Sequence, residues 1–188
     1  MAGTSPWLWL MIRLFAALAI PPDIAGGLAR RQHGLPDARW RPISAFHITL
    51  RFFGDISEQV AADLSSELAV IAAAPLSLNL RGVGAFGEGE DLHAVWAGVM
   101  PSPALSHLAK ACEAAARRAG LPPERRAYHP HVTLAYLRRA QPDRVAAWIE
   151  ANAMLQAPPF LATRFGLYSS WRTDAGSRYR LERDYGLV

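Results

Sequence analysis

Two histidines in this chain each stand two positions before a threonine: His47 before Thr49 in FHITLRF, and His131 before Thr133 in PHVTLAY. Both segments alternate apolar and polar residues, so both read as β-strands, and on a strand residues i and i+2 point the same way. Each motif therefore sets an imidazole beside a hydroxyl. A threonine hydroxyl donates to a phosphate oxygen, and a histidine takes up or releases a proton near neutral pH. Two such pairs facing each other would grip a phosphate from both sides, one imidazole activating water and the other protonating a departing ribose oxygen. A single strand histidine is ordinarily structural or on the surface; it is the recurrence of H-x-T-L that points to catalysis. No carboxylate cluster has metal-ligand spacing, so this chemistry calls for neither a metal nor a cofactor.

The elements that must position these residues can be read outward from the motifs. Strict alternation in AFHITLRFF puts Phe46, Ile48, Leu50 and Phe52 on one face and His47, Thr49, Arg51 and Phe53 on the other. The apolar run from Met11 to Ile20 predicts a first strand. Pro22 and Asp23 open a helix to about Gln32. Ser57 is an N-cap for a helix to about Ala73. Residues 76–86 and 91–99 read as an antiparallel pair, and Ser102-Pro103 opens a long helix that closes at Gly120. The second H-x-T strand, a helix from Pro142 to about Asn152 and two strands around RTDAGS complete the chain. This order predicts an α+β fold. His131 lies 84 positions after His47, close to half the chain. That predicts a bilobal domain over 11–188: two pseudo-symmetric lobes, each a small, mostly antiparallel sheet backed by helices, with the H-x-T strands facing a central cleft. Residues 1–10 read as an N-terminal extension or tag, with Trp7 and Trp9 outside the core.

Composition sets the frame. The chain has 188 residues, and 20 Lys+Arg against 16 Asp+Glu give a formal charge of +4. Nearly all the bases are arginines, the residue suited to bidentate phosphate contacts; the excess permits an anionic partner without demanding one. The single cysteine, Cys112, forms no intramolecular disulfide, fits a reducing, cytoplasmic setting and reads as a small buried residue on a helix. The apolar N-terminal stretch is interrupted by Arg13 and is too short to span a membrane comfortably. No membrane association is expected, and a monomer is.

The ordered motifs resemble those of the two-histidine (2H) phosphoesterases, and within them the RNA 2′,3′-cyclic phosphodiesterases once called 2′-5′ RNA ligases. RLFAALAIP is similar to that family's opening strand, FHITLRFFGD to its first motif, GVGAFG and AVWAGV to the hairpin between motifs, YHPHVTLAY to its second motif, and LYSS with GSRYRLE to its closing hairpin. The resemblance implies a partner that is an RNA end or a cyclic-phosphate nucleotide, and hydrolysis to a 2′-phosphate. It implies catalysis by His47 and His131, with Thr49 and Thr133 on the phosphate; we assign His47 as the acid and His131 as the base, an assignment that the near-symmetric motifs equally allow to be reversed. Many relatives carry an arginine at the position that is Tyr136 here. Arg51, which alternation sets beside His47 and Thr49, is the first candidate to replace it, with Arg13 and Arg138 as alternatives; Arg51 also reads as a solvent-facing strand charge. Phe15, Phe53, Phe86 and Trp96 either stack a terminal base or pack in the core. His129 is a candidate supporting residue, and His33, His93 and His107 read as surface or packing histidines. Two other functions fit the pattern: a phosphodiesterase for another small cyclic nucleotide, and an RNA-end-binding module without turnover.

Overall fold

The apolar run Met11–Ala19 forms β1, the central strand on which the first sheet is assembled, with Leu14 through Leu18 all buried. The computed structural model describes residues 11–36, 38–173 and 176–188; the expectation for residues 1–10, Trp7 and Trp9 included, lies outside the described residues. Pro22 starts α1 (Pro22–Ala29), where its missing N–H costs nothing. After β2 (Arg39–Trp40) and a short turn comes β3 (His47–Ser57), which carries the first motif. Ser57 caps α2 (Glu58–Ala69), its Oγ accepting from the Val60 N–H at 3.4 Å. Leu64 and Leu68, spaced to share one helix face, are fully buried, each contributing about 1.5–3 kcal/mol of hydrophobic stabilisation.

The predicted strand 76–86 is two strands, β4 (Leu76–Leu78) and β5 (Leu80–Phe86), followed by β6 (Ala94–Val99). Ser102 caps α3 (Pro103–Arg118), whose Cys112 is fully buried as expected. The second motif is β7 (His131–Tyr136), then come α4 (Pro142–Asn152), β8 (Phe160–Ala162), β9 (Arg164–Thr173) and β10 (Gly176–Gly186). Among the described residues no helix is long and apolar enough to cross a membrane.

The fold is α+β. One four-stranded sheet has the order β10-β9-β1-β3, a second the order β2-β7-β6-β5, and β4 pairs with β8. The repeat visible in the sequence is a structural one. The unit strand, helix, H-x-T strand, helix occurs as β1-α1-β3-α2 and again as β6-α3-β7-α4, and in both the two strands are antiparallel neighbours. The lobes, however, are not the two halves of the chain. The C-terminal β9 and β10 return to complete the sheet begun by β1, because β9 pairs with the free edge of β1. The helix of each unit also leans on the other unit: α3 packs against β3 and α2, while Gln32, just past α1, donates to the carbonyl of Leu134 in β7 at 3.0 Å. The two H-x-T strands are thereby held in contact with each other.

Candidate active site

His47 and His131 occupy the first positions of β3 and β7, and these two strands lie close to each other. Each histidine is anchored two residues back. His131 Nδ1 is 2.7 Å from the His129 carbonyl, and His47 bonds the Ala45 carbonyl. One ring nitrogen is thus spent on the backbone in both motifs, leaving the other for the cleft. Alternation sets Thr49 and Thr133 on the same faces as their histidines, and among the described residues neither hydroxyl is engaged by another side chain.

Burial governs the electrostatics. Desolvation by Phe15, Tyr179 and the surrounding core lowers His47 from 6.5 to about 4, and nearby Arg41 and His131 add to the depression. Desolvation also lowers His131, assisted by His129. Both imidazoles are therefore neutral at pH 7, so each free nitrogen is poised to accept a proton or a hydrogen bond.

The structure moves Arg51 away from this site. A β-bulge in β3 lets Ala17 face Thr49 but Ala16 face Arg51, so Leu50 is an extra residue and the alternation slips by one. Arg51 therefore turns to the helix side. There its Nε donates to Glu113 on α3 at 2.5 Å, and one terminal nitrogen donates to the Pro122 carbonyl at 2.8 Å. Its charge is spent on Glu113 and Glu124, not on the cleft. The same slip exchanges the two phenylalanines: Phe53 is buried in the core, and Phe52 faces the cleft at 39% exposure, stacked on Phe15. Phe53 is thus excluded as a base platform. Phe15 is buried and serves as a floor under His47, at 4.7 Å between ring centroids.

In the second lobe, Phe86 stands edge-on to His131 at 4.7 Å and Trp96 edge-on to His129 at 4.8 Å. Trp96 lies flat over Gly84, where an added Cβ would come within 2.4 Å of the indole; only glycine leaves room for this ring. Both aromatics wall the second histidine and are half-buried. His93, expected to be peripheral, stands at the rim of the adjoining cleft.

The residue that pattern reading missed is Arg41. It is buried, at 4% exposure, and among the described residues no carboxylate pairs with it. Its guanidinium donates to the Tyr179 hydroxyl at 2.7 Å and lies between the rings of Tyr136 and Tyr179, 5.4 and 5.2 Å from their centroids. It precedes the strand in a turn, so no periodicity marks it, and its partner Tyr179 is 138 positions away. A buried cation with no carboxylate partner among the described residues, sharing Tyr179 with His47, is a group suited to meeting an anion.

Two H-x-T strands facing each other from paired sheets define a two-histidine phosphoesterase. The chain belongs to the 2′-5′ RNA ligase superfamily, which it matches over residues 20–174. It is 40% identical over 97 residues to an RNA 2′,3′-cyclic phosphodiesterase of Aeropyrum pernix, a match covering 51% of this chain. That match spans 55% of the relative's length, about half. A protein of the same description from Escherichia coli is 30% identical over 186 residues, covering 94% of this chain and 97% of the relative. Among solved structures, E. coli LigT complexed with 3′-AMP superposes with a TM-score of 0.77 at 27% identity, covering 95% of this chain and 99% of that one.

Proposed function

We propose that this chain hydrolyses 2′,3′-cyclic phosphates at RNA ends, leaving a 2′-phosphate and a free 3′-hydroxyl. The observation that carries the reading is the pair of backbone-anchored imidazoles at the starts of two strands in contact, with the buried Arg41 sharing Tyr179 with His47. The names of the Aeropyrum and E. coli relatives support the same reaction. In the proposed cycle Thr49, Thr133 and Arg41 hold the non-bridging phosphate oxygens. His131 takes a proton from water as its oxygen attacks phosphorus. The P–O3′ bond breaks, and His47 delivers a proton to O3′. Both histidines are neutral before substrate binds, so the acid's proton is taken up together with it: the phosphate's negative charge offsets the desolvation that otherwise expels it. Charge that develops on the phosphate oxygens meets fixed donors that need no reorganisation.

One chain supplies both histidines, so a monomer suffices. The scheme uses no metal and no cofactor, and the lone cysteine favours a cytoplasmic setting. The test is incubation with an oligonucleotide ending in a 2′,3′-cyclic phosphate, the products being resolved as 2′- or 3′-phosphate. A 2′-phosphate supports the scheme; binding without turnover would make the protein an RNA-end-binding module instead.

A further inference from the structure

Gln32 stands just past α1, and its amide nitrogen bridges two backbone carbonyls from other parts of the chain. Nε2 donates to the Arg41 carbonyl at 2.7 Å and to the Leu134 carbonyl at 3.0 Å. Only the NH2 side of an amide serves two acceptors, so these partners fix which way the group points. Leu134 follows Thr133 on β7, and its carbonyl also accepts from the Arg41 N–H at 2.8 Å. Gln32 therefore closes a bridge between the backbone of Arg41 and the strand that carries His131 and Thr133. The bridge falls where the sheet runs out. β2 pairs with β7 through Arg39 and Trp40, and the Arg41 N–H adds one more bond. Pro42 comes next and has no N–H to continue the ladder. The chain then turns through Ile43–Ala45 into β3, and the Ala45 carbonyl at the end of that turn anchors His47. The segment that Gln32 holds thus has the buried guanidinium at its start and the anchor of one histidine at its end.

Gln32 is itself presented by a fixed support. The carbonyl of its neighbour Arg31 accepts from the Trp148 indole N–H at 3.3 Å, and Arg31 Nη1 donates to Asn152 Oδ1 at 3.2 Å. Trp148 and Asn152 both lie on α4 and are buried, and Asn152 Nδ2 donates to the Trp148 carbonyl at 2.8 Å. A polar group held on packed helices fixes what it bonds more closely than one on a free loop does. We propose that Gln32 is a positioning residue for the phosphate-binding cation: by tying the Arg41 backbone to β7, it sets where the guanidinium stands relative to the strand bearing His131 and Thr133. The inference rests on the phosphodiesterase reading above, in which Arg41 holds the phosphate, and adds the residue through which Arg41 is held. Gln32 itself touches no substrate.

The experiment is a double-mutant cycle on the hydrolysis of 2′,3′-cyclic AMP, run well below every melting transition. Gln32→Met keeps the length of the side chain and removes both donors. In the wild-type background it is expected to lower kcat/KM by about 5- to 30-fold, short of the roughly 100-fold that a 1 Å misplacement can cost. In an Arg41→Met background the same substitution is expected to cost less than about 2-fold, because the group it positions is gone. A purely structural glutamine would lower Tm in both backgrounds and leave kcat/KM alone. That result overturns the proposal, as does an equal kinetic loss in the two backgrounds. Should Gln32→Met fail to fold, Gln32→Asn, which keeps the amide but draws it back by one methylene group, takes its place in the cycle. Full activity of Arg41→Met overturns the role of Arg41 and this proposal with it. If the wild-type protein hydrolyses no cyclic phosphate, the phosphodiesterase reading fails, and the cycle is read instead in calorimetric binding of inorganic phosphate. Gln32→Met must then weaken binding by at least about 5-fold in the wild-type background and leave it unchanged in the Arg41→Met background; any other pattern overturns the proposal.

Discussion

Arg41 donates a 2.7 Å hydrogen bond to the hydroxyl of Tyr179, although the two residues come from opposite ends of the chain. The bond ties the turn before β3 to the C-terminal β10 and holds a buried guanidinium against the site. Removing that charge is expected to hurt catalysis more than folding. Arg41→Ala should lower kcat/KM by roughly 10- to 150-fold, the equivalent of about 1.5–3 kcal/mol for a charge-assisted contact. Arg41→Met, which keeps the volume and removes an unpaired buried charge, should lose activity while melting at the same temperature as wild type or higher. Steady-state kinetics beside a thermal melt would separate the two effects; a melting point that falls in step with activity would make Arg41 a structural residue only.

The depressed His47 makes a prediction about stability and pH. Above about pH 6.5 the imidazole is neutral in both folded and unfolded states and contributes no pH dependence. Between 6.5 and about 4 the unfolded chain binds a proton that the folded site refuses, so stability falls as the pH falls. The slope is about 1.4 kcal/mol per pH unit, for a total near 3 kcal/mol. His47→Gln removes this linkage. Its urea midpoint should therefore drop less than that of wild type between pH 7 and pH 5, and parallel curves would count against a buried neutral His47.

Arg51 joins β3 to α3 and to the loop after it through Glu113 and the Pro122 carbonyl. Arg51→Ala leaves Glu113 without its main partner in a largely covered position. Its expected cost is about 1.5–3 kcal/mol of stability, a fall of roughly 3–12 °C in Tm for a domain of this size. Below the melting transition, kcat/KM should stay within a few-fold of wild type. A large loss of kcat at full stability would return Arg51 to the active site.

The contrast between Arg51 and Arg41 shows what could be read from the residues alone. The helices, both H-x-T strands and the internal repeat were legible, because each is a local pattern of capping residues and periodic apolar positions. The bulge at Leu50 was not: it adds one residue to a strand without any glycine or proline to signal it, and the assignments of Arg51, Phe52 and Phe53 changed faces. Phe53 and Phe52 exchanged roles for this reason alone. Arg41 was hidden for another. Its environment consists of Tyr136, brought by the pairing of β2 with β7, and Tyr179, which reaches it only because β10 returns to the first sheet; β10 also makes the lobes differ from the sequence halves.

The two histidines should be individually indispensable. His47→Ala and His131→Ala are each expected to lower kcat by about 10²- to 10⁴-fold, the usual contribution of a general acid or base. With His131 as the base, His131→Ala should abolish the acidic limb of the pH–rate profile and His47→Ala the alkaline limb; the opposite pattern would exchange the roles. Full activity in both variants would rule out the mechanism.

Position 136 offers the sharpest test of how the site meets the phosphate's charge. Tyr136 packs its ring on Arg41, so the chain has one buried guanidinium and an aromatic wall where the family resemblance implies an arginine. Tyr136→Arg in the wild-type background would set two guanidinium groups side by side with no carboxylate between them, and their repulsion is expected to lower stability and kcat/KM together. In an Arg41→Ala background the same substitution supplies the missing cation and relieves the repulsion. The double variant should therefore be more active than Arg41→Ala alone, with a coupling energy of about 0.5–3 kcal/mol favouring the pair. Additive losses in this cycle would mean that position 136 cannot reach the phosphate, and that Arg41 does not stand in for the relatives' arginine.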